Sequence, residues 1–329
     1  MKIAIVILNW NGQQLLETFL PSVVNYSDGQ DIYVIDNAST DTSVSFLETH
    51  FPTVKCIKLV RNFGYSRGYN EGLKQINSDV FCLLNSDIEV TKNWLKPIIN
   101  AFENEEKTAI IQPKILDYHN KNKFEYAGAG GGFIDQLGYP YCRGRIFDTL
   151  EEDHGQYNDQ IELFWASGAC LFIRASTFID LEGFDPRFFA HMEEIDLCWR
   201  AQNKGFTVTY VGMSKVYHVG GASLKKSNPK KTYLNFRNSL YTLVKNTSKP
   251  LTLVVFLRLV LDGIAGIRFL LQAKPKQMIA IIKAHKSFYL ALPYLIRFRR
   301  ENSSDKLYTQ HPSIVWSYFV QNKKYFNKL

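Results

Sequence analysis

The N-terminal part of the chain alternates short runs of Ile, Val and Leu with longer stretches of mixed polarity. The apolar runs are residues 3–8, 31–35, 54–60 and 80–84, bounded by Asn, Asp, Gly or Ser. Runs of this length and β-branched content predict buried strands. Residues 13–24, 42–50 and 65–76 lie between them with helical spacing, and Asp41 is placed to cap the second. Strand and helix in alternation predict an α/β fold with a parallel sheet covered on both faces. Further on, residues 94–102 predict a helix, 109–116 a strand and 164–173 a buried segment. Residues 126–144, rich in Gly and Tyr, and the acidic stretch 151–159 predict irregular loops.

Beyond residue 224 the pattern changes. The run KKSNPKK (225–231) predicts a hinge, and residues 233–245 a helix. Residues 251–272 are apolar for long enough to raise the question of a membrane span. Arg258, Asp262 and Arg268 interrupt them, and each charge costs about 2.5 to 3.5 kcal/mol at a bilayer centre. An interfacial or protein-packed helix is therefore expected. Residues 278–300 set Lys283, Lys286 and the run 297–300 beside Phe288, Tyr289 and Tyr294, a mixture suited to the lipid headgroup layer. The expected division is a catalytic domain over residues 1–224 and a basic, amphipathic helical region over 225–329.

Charge sharpens that division. The net charge is +8, but from Lys225 onward 20 Lys and Arg face 3 Asp and Glu, so the tail carries +17 and the remainder −9. A basic, aromatic and aliphatic tail suits an anionic surface, either phospholipid or nucleic acid. Its long aliphatic runs favour lipid. With 46% apolar residues in 329 the chain can bury a core. Five cysteines, Cys56, Cys82, Cys142, Cys170 and Cys198, form no C-x-x-C pair, so zinc-site spacing is lacking and a reduced, cytosolic compartment is expected. The opening MKIAIVILNWNG has an apolar run too short for a signal peptide and reads as the first strand.

In open α/β sheets ligands bind beyond the carboxyl ends of the strands. Those ends carry Asn9, Trp10 and Asn11, then Asp36 and Asn37, then Asn62, then Asn85, Ser86 and Asp87. Asp36 suits the imide N–H of a uracil or thymine base, with Trp10 available for stacking. Asp87 ends an apolar strand in a carboxylate, and Mg²⁺ is held by one or two carboxylates plus substrate phosphates; a plain helix cap is the other meaning of such a residue. Glu193, Glu194 and Asp196 crowd three carboxylates into four positions. Clustering raises carboxylate pKa values and favours a general base, although a solvated helix start has the same composition. His218, followed by two glycines, can ligate metal, contact a diphosphate or serve structurally.

Taken in order, these elements resemble family-2 glycosyltransferases of the GT-A fold, in particular the rhamnosyltransferase-like branch of bacterial surface-polysaccharide synthesis. The resemblance spans residues 1 to about 224 and rests on residues 7–11, 35–41, 62–72, 85–87, 165–169, 193–200 and 218–221. It implies a Rossmann-like, mostly parallel nucleotide-binding sheet with flanking helices and a C-terminal helical extension. It implies a nucleotide site formed by Asn9, Trp10, Asn11, Asp36, Asn37, Asn62, Arg67, Asn70 and Asn85. Trp165, Ser167 and Gly168 fall near the sugars, and a divalent metal, Mg²⁺ or Mn²⁺, falls on Asp87 with His218 as a second contact. The catalytic base falls on Glu194, where the family usually has Asp, with Glu193 and Asp196 as possible contributors.

The implied activity is inverting transfer from a nucleotide-diphosphate sugar, dTDP-rhamnose favoured, to a glycan or lipid-linked glycan. It would take place at the inner face of the cell membrane with no nucleic-acid partner. A sugar nucleotidyltransferase is the competing enzyme, but NWNGQQ lacks the basic, glycine-rich loop that class places after its first strand. A nucleic-acid binder and an inactive sugar-binding module are the competing non-enzymes.

Overall fold

The computed structural model describes residues 1–220, 228–248, 250–299 and 311–329. The strands β1 (Ile3–Asn9), β2 (Asp31–Asp36), β3 (Lys55–Lys58) and β4 (Val80–Leu84) pair in parallel, β1 lying between β2 and β4. Their side chains alternate between two cores. Ala4, Val6, Phe81 and Leu83 enter one, while Ile3, Ile5, Ile7, Val80, Cys82 and Leu84 enter the other. Burial on both faces gives such strands their continuous apolar runs.

The helices between them follow the expected spacing: α1 (Gln13–Tyr26), α2 (Ser43–His50) and α3 (Gly64–Leu73). Gly72 lets α3 lie close on β2, since a Cβ there would meet Ile35 Cδ1 at 2.2 Å. Asp41 stands one residue before the cap position of α2, and its Oδ1 accepts from the Ser43 backbone N–H at 3.0 Å. The third strand is shorter than the apolar run, because Val60 is 90% exposed.

The sheet continues with β5 (Ile88–Val90), helix α4 (Leu95–Asn104) and β6 (Thr108–Asp117). Residues 126–144 are more regular than expected. They hold β7 (Gly132–Ile134) and β8 (Pro140–Cys142), which with β9 (Arg145–Ile146) and β10 (Thr149–Leu150) form a small antiparallel sheet. The acidic loop 151–159 is pinned at its base, where buried Lys114 pairs with Asp153 at 2.8 Å and Arg143 with Asp159 at 2.9 Å. Next come β11 (Gln160–Leu163), β12 (Cys170–Arg174), α5 (Ala175–Asp180), α6 (Glu193–Asn203) and β13 (Thr207–His218). The order across the main sheet is β11-β13-β6-β12-β4-β1-β2-β3, with β5 against β13. Three strands depart from the parallel expectation: β12 runs antiparallel to both β4 and β6, and β5 and β11 run antiparallel to β13.

The C-terminal helices are α7 (Pro229–Asn246), α8 (Leu251–Leu271), α9 (Pro275–Arg297) and the short α10 (Ile314–Phe319). Asn228 caps α7 by accepting from Lys230 N at 2.9 Å, with Pro229 at its first turn. Of the expected hinge, residues 225–227 lie outside the described residues, as does the boundary at residue 224. Arg300, at the end of the basic stretch, also lies outside them. In place of a detached tail, α7 lies along α6 and α9, and α8 lies along α9.

Candidate active site

The carboxyl ends of β1, β2 and β4 bring the sequence-predicted rim together. Asp36 is 4% exposed; its Oδ2 accepts from Ser39 N at 3.0 Å and its Oδ1 from Asn9 Nδ2 at 3.4 Å. Asn9 Oδ1 is buried without a hydrogen-bond partner. Trp10 stands 57% exposed beside them, a free ring face for a base. Asn11 stitches the two rim loops, its Oδ1 accepting from Thr40 N at 2.7 Å. Asn37 donates to Asn62 Oδ1 and to Gly64 O, both at 3.1 Å. Asn37 and Asn62 therefore shape the loop leading into α3.

Two predicted nucleotide contacts have other partners in this structure. Asn70 clamps the backbone of Phe184 from both sides, donating to its O at 2.7 Å and accepting from its N at 2.9 Å. That amide holds the loop before α6. Arg67 lies on the outer surface of α3, 3.7 Å from Glu71 and over the Phe63 ring.

At the end of β4, Asp87 is buried and paired through Oδ1 with His218 Nε2 at 3.1 Å. The same imidazole faces Glu125 Oε2 through Nδ1 at 3.2 Å. Asn85 Nδ2 lies 3.5 Å from His218 Nε2. Burial opposes the charged ring, but hydrogen bonding to two carboxylates outweighs it and carries the His218 pKa up to about 10. Asp87 is held below the usual carboxylate range; burial opposes this, and His218 overcomes it. Gly220 completes the turn at φ +72, where a Cβ would approach Glu125 Oε1 to 2.7 Å. Gly221, the last residue of the predicted histidine element, lies outside the described residues, as do Ala222 and Ser223.

Carboxylate, imidazole and amide are donors of the kind that take a hard or borderline divalent cation. Among the described residues no group of three His, Cys, Asp or Glu is arranged as a metal cage. A cation on Asp87 would thus rely on diphosphate oxygens and water for its remaining ligands. Binding through His218 would also displace the ring proton. The residues fit a substrate-completed site.

Glu193 and Glu194 open α6. Three of the four residues before it are strained: Phe189, His191 and Met192 have φ of 65, 69 and 73, a region non-glycine residues seldom occupy. Oε2 of each glutamate is enclosed without a hydrogen-bond partner. Burial pushes the Glu194 pKa up to about 7, with backbone N–H groups at the helix start pulling the other way. Glu193 is raised further by burial and by the charge of Glu194 beside it. Gly168 lies against Glu194, whose Cβ is 3.8 Å from the position a Gly168 Cβ would take, and Tyr65 donates to Gly168 O at 2.8 Å. Ser167 packs on Gly128, in the same loop as Glu125, so residues 167–168 bridge the Asp87 end of the cleft and the Glu194 end.

Two further expectations are corrected here. Asp196 faces away from the cleft, into a buried network with Arg200 at 2.8 Å, Lys245 at 3.1 Å and Asn246 at 2.8 Å. The cations hold its pKa down to about 2 against burial, so it ties α6 to α7 and cannot act as base near neutral pH. Trp165 is 3% exposed and donates its indole N–H to Phe133 O at 2.8 Å. It supports the small sheet, with its one polar group committed there.

The sequence left Glu125, Tyr65 and Asn238 unmarked. Asn238, fully buried in α7, donates to Phe188 O, Ala190 O and His191 O at 3.0, 2.9 and 2.7 Å. It thereby holds the strained segment from which Glu194 projects. Asn238→Ala strands these carbonyls, at about 1–3 kcal/mol for an unsatisfied buried group. The expected outcome is a lower Tm together with at least a tenfold loss of kcat; unchanged turnover in a folded variant would contradict the clamp.

A family model described as glycosyl transferase family 2 matches residues 4–179. The chain is 24% identical over 220 residues to the N-acetylglucosaminyl-diphospho-decaprenol L-rhamnosyltransferase of Mycobacterium tuberculosis (strain ATCC 25618 / H37Rv), covering 62% of this chain and 71% of that one. In structure it is similar to S. aureus TarS 1-349 in complex with UDP-GlcNAc, with a TM-score of 0.58 at 15% identity over 91% of this chain and 84% of that one. It is also similar to GalNAc-T7 with UDP, GalNAc and Mn²⁺, at a TM-score of 0.56 and 16% identity over 74% of this chain. It spans 47% of that protein's length.

Proposed function

The chain belongs to glycosyl transferase family 2 and is a glycosyltransferase; on that premise we propose that it inverts the sugar it transfers from a nucleotide-diphosphate donor, using Glu194 as general base. The observation that carries this is the cleft itself. A metal-suited pair, Asp87 and His218, stands at one end and a half-protonated glutamate at the other, joined by residues 167–168. Membership of this family sets aside the nucleotidyltransferase alternative.

The base stacks on Trp10 and its imide N–H is met by Asp36. Asp87, with His218, would hold a divalent cation, Mg²⁺ or Mn²⁺, whose charge would neutralise the diphosphate leaving group. Glu194 accepts the proton of the acceptor hydroxyl as that oxygen attacks the anomeric carbon. Glu193 stays protonated and spares the site a second buried negative charge. Among the described residues beside Glu194, burial keeps the Glu193 carboxyl protonated and pushes the Cys198 thiol up to about 12, so neither offers a nucleophile. One displacement inverts the anomeric centre. The donor is dTDP-rhamnose and the acceptor a lipid-linked glycan, a choice supported by the relative named for rhamnosyl transfer to a decaprenyl-diphosphate sugar. Incubating the chain with a panel of nucleotide sugars and Mg²⁺ or Mn²⁺ tests this. Faster release of dTDP from dTDP-rhamnose than of nucleotide from the others is expected, and equal or no release from every donor contradicts it.

We further propose attachment to the anionic inner surface of the membrane through α8 and α9, with residues 1–224 as the catalytic unit. Helix α8 is inside out. Its charged pair is buried, Arg258 meeting Asp262 at 2.9 Å and Ser239 at 2.6 Å, and Asp262 accepting from Tyr139 at 3.0 Å. Its outer face shows Leu253, Phe256, Val260, Ile264, Ile267 and Leu271, each at least 45% exposed. Two of the three charges that argued against contact with lipid, Arg258 and Asp262, therefore never meet it, while Arg268 is exposed and lies over the Phe319 ring. Helix α9 is, by length and composition alone, long and apolar enough to cross a membrane. However, Ala280, Ile281, Ala284, Phe288 and Leu295 are buried, and Lys276, Lys283, Lys286 and Arg297 lie along its outer side, which favours lying at the headgroup layer.

Replacing Phe256, Ile264 and Ile267 together by Ser is expected to cut binding to phosphatidylglycerol vesicles by at least tenfold, since each buried apolar side chain contributes about 1.5–3 kcal/mol. Undiminished co-sedimentation would contradict this mode of attachment.

A further inference from the structure

One buried cation beside the cleft has no anionic partner among the described residues. Arg145, in β9, is 8% exposed. Its Nη2 donates to Cys142 Sγ at 3.2 Å, a weak acceptor, and its Nε has no hydrogen-bond partner. Arg143, two residues earlier in the turn between β8 and β9, shows what a satisfied arginine looks like here. Its two terminal nitrogens meet the two oxygens of Asp159 at 2.9 Å, and its Nε donates to Gly130 O at 3.0 Å. Among the described residues no carboxylate lies within ion-pair distance of Arg145, and a buried guanidinium left so is unfavourable unless something else supplies the anion.

Its surroundings indicate what that is. The guanidinium lies over the Tyr126 ring at 4.6 Å. The residue before Tyr126 is Glu125, whose carboxylate faces His218, the partner of Asp87. On the far side, the loop containing Gly128 packs on Ser167, and the adjoining Gly168 packs on Glu194. Arg145 therefore lies against the loop of residues 125–128 that links the Asp87 end of the cleft to the Glu194 end. A planar guanidinium offers a fork of parallel donors that matches phosphate oxygens, which a lysine ammonium does not.

We propose that Arg145, backed by Tyr126, is a phosphate-binding side chain of the cleft that grips a diphosphate. The diphosphate belongs to the nucleotide-sugar donor or to a diphosphate-linked lipid acceptor, two sources with the same chemistry at this point. The inference rests on the transferase reading for the identity of the substrates. Phosphate binding, however, is measurable without turnover.

The test is isothermal titration of the full chain, as wild type, R145Q and R145K, with dTDP, UDP and farnesyl diphosphate in Mg²⁺. Thymidine, uridine and farnesol serve as phosphate-free controls. R145Q is expected to weaken at least one diphosphate probe by about tenfold or more, R145K to recover part of the loss, and the controls to stay unchanged. A loss confined to dTDP and UDP assigns Arg145 to the donor, and one confined to farnesyl diphosphate assigns it to the acceptor. Binding of every diphosphate probe within twofold of wild type overturns the proposal. If R145Q melts below the assay temperature, R145K decides alone, and affinity equal to wild type overturns it. Failure of the transferase reading shows separately, as wild-type chain that hydrolyses no nucleotide sugar.

Discussion

Asp87→Asn is expected to reduce metal-dependent release of nucleoside diphosphate by about 10³-fold while leaving the fold intact. Asn keeps the shape of the side chain and its contact with His218 but removes the one carboxylate at the end of β4. A bound cation contributes several kcal/mol of transition-state charge stabilisation, and each 1.36 kcal/mol is tenfold in rate. Glu125 cannot substitute, because His218 lies between it and Asp87, at 3.2 and 3.1 Å from the two carboxylates. The direct readout is the Mn²⁺ affinity of the nucleotide-loaded chain, followed by electron paramagnetic resonance. Retained Mn²⁺ affinity and turnover would place the metal elsewhere.

Glu194→Gln is expected to lower kcat by about 10²–10⁴-fold, the range over which a positioned base acts, with little change in donor affinity. The pH dependence gives a second signature. With its pKa raised to about 7, Glu194 is mostly protonated at pH 6 and mostly ionised at pH 8. Activity therefore rises about tenfold per pH unit below 7 and levels above it. Stability runs the opposite way. A carboxylate whose folded pKa lies above its unfolded value favours the fold while protonated, and that contribution is lost as pH rises from about 4.5 through about 7. Glu194→Gln keeps the neutral form at every pH, so at pH 8 it should melt above the wild type while being almost inactive. A variant equally active across this range would remove Glu194 from the mechanism and leave Glu193 as the alternative.

The parts of the molecule that the amino-acid pattern displays are those where burial is simplest. Strands β1, β2 and β4 are covered on both faces, so they read as unbroken apolar runs, and the polar rim follows directly from where those runs stop. The direction of β12 carries no such mark: antiparallel and parallel central strands are equally apolar. The strands of residues 132–150 are two or three residues long, too short for any period to emerge.

The site was legible where one residue type at a strand end sufficed, as at Asp36 and Asp87. It was misleading where facing mattered. Glu194 and Asp196 lie about 200° apart around a helix of about 100° per residue, so the acidic trio divides between cleft and core. Of the two cations that claim Asp196, Arg200 lies one turn on in α6 and Lys245 comes from α7. Glu125 was silent because a lone carboxylate acquires meaning only when β13 brings His218 to it. Arg258 and Asp262 looked like obstacles to contact with lipid, since a linear sequence does not show that both turn inward.

The most direct test is the anomeric configuration of the product. Proton NMR of the sugar transferred from its preferred nucleotide donor, recorded before equilibration, should show the configuration opposite to that of the donor, as a single displacement assisted by Glu194 requires. A product with the donor's configuration would demand a second displacement and contradict the mechanism at its centre.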